Sequence, residues 1–103
     1  MKIEKTEAGQ TSLITITGDV NLDTSRELRT TILETISAAV EGVALDLSAV
    51  RYMDSSGVAI LVEGLRTARD TDKTFTLVSP SPRVMKVLEL TRLDTVFEFS
   101  PSP

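Results

Sequence analysis

Residues 43–61 read VALDLSAVRYMDSSGVAIL, and the way this stretch divides decides the fold. Val43 to Leu47 form a short apolar run, suited to an interior strand buried on both faces. From Val58 the spacing changes. Val58, Leu61, Val62, Leu65 and Ala68 recur at helical intervals through GVAILVEGLRTARD. With SAVRYM as a connector, strand gives way to helix at Asp54-Ser55-Ser56-Gly57. Asp54 or Ser55 can cap that helix by accepting hydrogen bonds from its first free N–H groups, and Gly57 would relieve crowding in the first turn. The same geometry displays a serine hydroxyl at a rigid, exposed corner. A phosphate added there would be partly stabilised by the helix N–H groups and dipole. It would also bring roughly −1.5 to −2 charges beside Asp54, changing the surface field more than the fold.

Upstream, KIEKTEAGQTSLITITG (2–18) reads as two strands joined at Ala8-Gly9-Gln10, since glycine permits a tight turn. In the second strand Leu13, Ile14 and Ile16 are interleaved with Thr15 and Thr17, types that suit a pleated surface, and Gly18 is expected to end it. Thr24-Ser25-Arg26-Glu27 fits a capping box. The helix it opens carries an apolar stripe of Leu28, Ile32, Ile36 and Val40, flanked by Leu33 and Ala39, with Gly42 as its stop. Downstream, Gly64 inside the second long helix costs about 1 kcal/mol relative to Ala, which points to close packing there. FTLV (75–78) is the next strand. Pro80 and Pro82 punctuate the entry to a short helix bearing Val84, Val87, Leu88 and Leu90. TVFEF (95–99) is the last strand, and 101–103 reads as a disordered tail beyond a domain of residues 1–100.

The order β-β-α-β-α-β-α-β predicts a single α/β domain. Its five-stranded, mostly parallel sheet is entered through one antiparallel hairpin and joined by three main helices in right-handed crossovers. In open α/β sheets functional groups collect where strands end and helices begin. Those places are Gly18 to Thr24, Tyr52 to Gly57 and Ser79 to Arg83, and the middle one is the richest.

Composition narrows the chemistry. The 103 residues suit one domain, and 41% hydrophobic content supports a real core. The sequence contains neither cysteine nor histidine. Disulfides, thiolate nucleophiles, sulfur metal sites and Ser-His triads therefore drop out, and no cofactor is expected. A formal charge of −4, with one Tyr and three Phe, argues against nucleic acid, whose binding needs basic residues and stacking platforms. No apolar run approaches the length of a membrane span, and MKIEKTEAGQ lacks the apolar stretch of a signal peptide, so a cytoplasmic location is expected. Without histidine or cysteine, a neighbouring carboxylate is weak evidence for an activated serine, and the chain reads as a non-enzyme. Met53 and Met85 read as core fillers. Arg66 and Arg69 with Glu63 and Asp70 read as the solvated face of the second long helix.

The stretch VALDLSAVRYMDSSGVAIL resembles the signature of STAS domains, specifically of bacterial anti-sigma factor antagonists. ITITGDVNLDTSRELR is similar to the family's second strand, following loop and first helix, and VMKVLELTRLDTVFEF to its closing helix and strand, so the resemblance covers nearly the whole chain. It implies a partner switch. An unphosphorylated antagonist binds an anti-sigma factor that is also its serine kinase, displacing the sigma factor. Phosphorylation of the first hydroxyl residue after the motif Asp ends binding, and a PP2C-type phosphatase restores it. Carried over by resemblance, Ser55 is the phosphoacceptor, and Asp19, Asn21, Asp23, Asp54, Ser56 and Gly57 belong to the partner surface. Asn21 falls where many relatives have Asp. Val58-Ala59 replaces a frequent Leu-Gly, and Thr91-Arg92-Leu93 replaces the more usual TGL. Many relatives add a helix after the last strand, and in its place a partner or a homodimer would cover one sheet face. The alternative is a constitutive STAS-fold assembly subunit, a transport-complex accessory or scaffold, in which the hydroxyl corner contacts a fixed partner. A nucleotide-binding or small enzyme domain lacks support, because no GxxxxGK[ST] loop occurs.

Overall fold

The computed structural model describes residues 1–101. β1 (Lys2–Ala8) and β2 (Thr11–Val20) pair antiparallel around a turn at Gly9, whose φ of +69° is left-handed. There follow α1 (Leu22–Ala38), β3 (Gly42–Met53), α2 (Ser55–Asp70), β4 (Thr74–Val78), α3 (Pro82–Leu90) and β5 (Glu98–Ser100). Strands β2 to β5 are mutually parallel, and the order across the sheet is β1-β2-β3-β4-β5.

Spatial order equals chain order, so every crossover steps in one direction. With right-handed crossovers, all helices then fall on the same face. The core agrees. Leu28 and Ile32 of α1, Leu61 of α2 and Leu88 of α3 join Ile14, Ile16, Leu45 and Leu77 of the sheet in one cluster. On the other face the cross-strand row Leu13, Ala44 and Thr76 borders a shallow groove of about 300 Å³. No helix among the described residues is long and apolar enough to cross a membrane.

The element order and α/β class match the sequence reading, while several boundaries move. β3 has 12 residues and absorbs the expected SAVRYM connector. Its pairing with β2 jumps from Thr15–Asp46 to Thr17–Ala49, and again from Gly18–Val50 to Asp19–Tyr52, so β3 bulges twice. The second bulge leaves consecutive residues Arg51 and Tyr52 both exposed. Gly18 does not end β2 but lies within it at a φ of +104°. Gly42 does not stop α1 but begins β3. There a Cβ would lie 2.5 Å and 2.8 Å from the Thr74 backbone O and N, so no side chain fits. α1 ends at Ala38, so Val40 lies beyond it and is 72% exposed. The Lys73 ammonium closes that helix end by donating to the carbonyls of Ile36 and Ser37. Leu90, expected to supply apolar contacts, is 75% exposed at the end of α3. β5 is a three-residue strand at Glu98–Ser100, with Phe97 buried just before it. Of the expected tail, Pro101 accepts a hydrogen bond from Ser79 Oγ at 2.7 Å, and residues 102–103 lie outside the described residues.

Gly64 is packed as its position in the helix implies. A Cβ there would meet the Phe75 ring at 2.8 Å and Ile32 Cγ2 at 3.1 Å, so α2 approaches both β4 and α1 closely. Met53 is 1% exposed in the core, and Met85 packs half-buried against it. Arg66, Arg69 and Asp70 face solvent as expected. Glu63 instead reaches α1. Its two carboxylate oxygens accept from Arg29 Nε at 2.7 Å and Nη2 at 2.8 Å. This fork ties the two long helices together side to side, and it holds the Glu63 carboxyl below its ordinary range.

Candidate functional site: the paired helix N-termini

The parallel strands β2 and β3 end together, so the helices that follow them start together. Val20 and Met53 are register partners, and the Asp54 N–H donates to the Val20 carbonyl at 3.2 Å. That bond joins the start of α2 to the end of β2. Gly57 makes the close approach possible: a Cβ there would lie 2.7 Å from Met53 Cγ and 2.8 Å from Val20 Cγ1.

Asp54 is the N-cap of α2, not Ser55. Its Oδ1 accepts from the Ser56 N–H at 3.0 Å and from the Ser56 hydroxyl, while its carbonyl accepts from the Gly57 and Val58 N–H groups. The Ser56 hydroxyl is the largest influence on the Asp54 carboxyl and, with the backbone N–H groups, holds it below the ordinary aspartate range against the opposing effect of burial. The carboxylate is thus ionised and already bonded at neutral pH. Ser55 stands beside this clamp as the first residue of α2, exposed, its hydroxyl in no hydrogen bond among the described residues. With the Ser56, Gly57 and Val58 N–H groups already taken by Asp54, a phosphate on Ser55 meets a fixed anion rather than a set of free donors. The expected donor support is correspondingly smaller.

α1 begins earlier than its Thr-x-x-Glu pattern indicates. Its N-cap is Asn21, which accepts from the N–H groups of Asp23 at 2.9 Å and Thr24 at 3.2 Å. Thr24 Oγ1 takes the reciprocal role by accepting from the Asn21 N–H at 3.0 Å, and it also donates to the Asp19 carbonyl at 3.0 Å. Asp19 therefore fixes the loop through its backbone, and its carboxylate forms an ion pair with Arg51 Nε at 3.6 Å. Asp23 is exposed in the first turn, where a negative charge complements the helix dipole. Asp19, Asn21 and Asp23 thus line the corner next to Asp54, Ser55, Ser56 and Gly57, and the seven residues singled out in the sequence share one end of the sheet.

The third strand-to-helix corner adds residues that sequence reasoning left out of the site. Ser81 caps α3, donates its hydroxyl to the Val50 carbonyl at 2.8 Å and its N–H to the Leu47 carbonyl at 3.2 Å. α3 is thereby pinned to the bulged part of β3. Arg83 lies over the Tyr52 ring, with Cζ 5.1 Å from the centroid. Leu22, the first residue of α1, is 78% exposed beside Asn21.

Comparison with known proteins agrees with this geometry. The profile of the family described as "Mlab, STAS domain" matches residues 3–98. An anti-sigma-B factor antagonist of Listeria monocytogenes is 33% identical over 60 residues, covering 56% of this chain and 53% of the relative. That alignment spans about half the length of the Listeria protein. An anti-sigma-B factor antagonist of Staphylococcus aureus is 25% identical over 93 residues, covering 90% of this chain and 86% of the relative. Among solved structures, the unphosphorylated form of the anti-sigma factor antagonist SpoIIAA superposes with a TM-score of 0.80 at 23% identity, covering 96% of this chain and 88% of that one. The phosphorylated form of the Bacillus protein SpoIIAA superposes at 0.75 with 22% identity, covering 96% and 91%. These likenesses are to the fold, whereas the profile spans the hairpin, all three crossovers and the hydroxyl corner. By that match, the chain belongs to the STAS-domain family.

Proposed function

We propose that the chain is an anti-sigma factor antagonist controlled by phosphorylation of Ser55. Unphosphorylated, it binds an anti-sigma factor that is also its serine kinase, and so frees a sigma factor in the cytoplasm. The kinase transfers the γ-phosphoryl group of ATP to Ser55 Oγ with ADP as leaving group, and a PP2C-type phosphatase hydrolyses the phosphate. One observation carries this reading: where Asp54 and Ser56 are bonded to each other, Ser55 alone offers an exposed and unengaged hydroxyl. The curated relatives named anti-sigma-B factor antagonists support it.

The energetics fit a switch. A phosphate beside the ionised Asp54 concentrates like charge at the helix corner, and like-charge juxtaposition at an interface costs several kcal/mol. Each 1.4 kcal/mol changes affinity about tenfold, so one phosphate converts an antagonist into a non-binder without refolding it. A pull-down from the host with wild type, Ser55→Ala and Ser55→Asp tests this, with the bound proteins identified by mass spectrometry. Wild type and Ser55→Ala are expected to recover an anti-sigma factor and Ser55→Asp to lose it. With ATP present, the recovered kinase should add one phosphate to wild type and none to Ser55→Ala. Equal recovery by all three proteins defeats the switch and matches a constitutive assembly subunit.

A further inference from the structure

We infer that the docking surface extends past Ser55 onto α3, where Tyr52 and Arg83 form a second contact that takes a carboxylate-bearing face of the same partner. This inference rests on the antagonist reading above. Three independent features converge on it. The second bulge in β3 inserts Arg51 and turns both Arg51 and Tyr52 to solvent just ahead of Asp54, and bulges beside functional sites re-aim side chains in this way. Ser81 anchors the start of α3 to the carbonyls of Leu47 and Val50, so Arg83 is presented from a fixed base. Arg83 lies over the ring of Tyr52, which is 38% exposed and three residues before Ser55.

The position of Arg83 is also locally unfavourable. It occupies the second residue of α3, in a first turn that contains no acid, where the positive end of the helix dipole disfavours a cation. Lys86 lies one turn further along, also exposed. In a chain of net charge −4, the start of α3 carries the exposed basic pair Arg83 and Lys86, whereas the α1 side carries Asp19 and Asp23, and Arg51 is paired with Asp19. Local rules of this kind are broken most often at functional sites. Tyr and Arg are the residue types enriched where interfaces concentrate binding energy. A guanidinium placed over an aromatic ring can still offer N–H groups for bidentate bonding, which selects carboxylates over neutral groups.

The test titrates the full chain with the purified anti-sigma factor that wild type recovers, by isothermal calorimetry at two salt concentrations. Arg83→Glu and Tyr52→Ala are each expected to weaken binding about thirty-fold or more. Arg83→Lys should fall between, keeping charge but losing the fork, and Arg83→Ala should show a shallower loss of affinity with salt than wild type. Thermal melts of the variants report folding, and the exposed Arg83 keeps the test decisive should Tyr52→Ala prove unstable. Wild-type affinity in Arg83→Glu, or tighter binding, overturns the inference. If Ser55→Asp has lost binding in the same series, the phosphoswitch nevertheless stands. Weakened Arg83 variants beside an unaffected Ser55→Asp mean the reverse: the second contact is real and the switch is not.

Discussion

The N-termini of α1 and α2 start side by side, yet they use their polar groups differently. At α1, Asn21 and Thr24 cap each other, Thr24 also bonds the Asp19 carbonyl, and the Ser25 hydroxyl donates to Leu22 O at 3.2 Å. Every hydroxyl of that turn is engaged. At α2, Asp54 and Ser56 complete the cap between them and Ser55 is left over. Capping and modification are therefore assigned to different side chains. Ser55 can change its chemistry while the cap that positions it stays made.

The contrast can be broken most forcefully at Gly57, which seats the α2 turn against both strands. Gly57→Ala must displace Met53 or Val20, and overpacking of this kind costs about 1–3 kcal/mol. Urea unfolding should show the loss, and an unchanged midpoint would mean the corner is not tightly seated. Smaller effects should come from the caps. Asn21→Ala and Asp54→Ala are each expected to cost about 1 kcal/mol, with Asn21→Ala the more damaging because its partnership with Thr24 is reciprocal. Equal losses would mean that reciprocity adds nothing.

The smallest effects sharpen the division most. Ser55→Ala should leave stability within about 0.5 kcal/mol of wild type, whereas Ser56→Ala should move the Asp54 titration upward toward the ordinary aspartate value, followed by carboxyl NMR. The sign follows from linkage. Asp54 and Glu63 both have folded-state values below their unfolded ones. Their contributions are present above the unfolded values, about 3.9 and 4.3, and are lost as pH falls through the folded ones. Acid stability should thus decline below about pH 4, and less for Ser56→Ala, which has already lost most of the Asp54 contribution at neutral pH, than for Ser55→Ala. An unmoved Asp54 titration in Ser56→Ala would mean that the Ser56 hydroxyl does not clamp the carboxylate.

Much of this corner was legible because its signals are local. Apolar period, the residue types of Asp54-Ser55-Ser56-Gly57 and the strand-to-helix change all sit within one short stretch. What sequence could not supply was partner choice. Thr24 and Asn21 are both good caps, and the Thr-x-x-Glu pattern favoured Thr24. The helix starts at Leu22 instead, and Thr24 finds its partners in Asn21 and the Asp19 carbonyl. The SAVRYM segment lost its strand signal because two bulges break the period-two alternation, and only pairing with β2 reveals it as strand. Gly42 resembled a helix stop although its need for no side chain comes from Thr74, on a strand far along the chain. Arg83 and Tyr52 likewise meet only through tertiary structure.

The monotone strand order also bears on how the sheet is assembled. Each strand adds to the edge left by its predecessor in the chain, and none has to insert between two strands already paired. The sheet can therefore lengthen in the order in which the polypeptide is made, closing one crossover at a time and keeping contacts comparatively local for a parallel architecture. Ser55 belongs to the third step of that sequence, so its corner can be set once β3 has docked on β2, before β4 arrives.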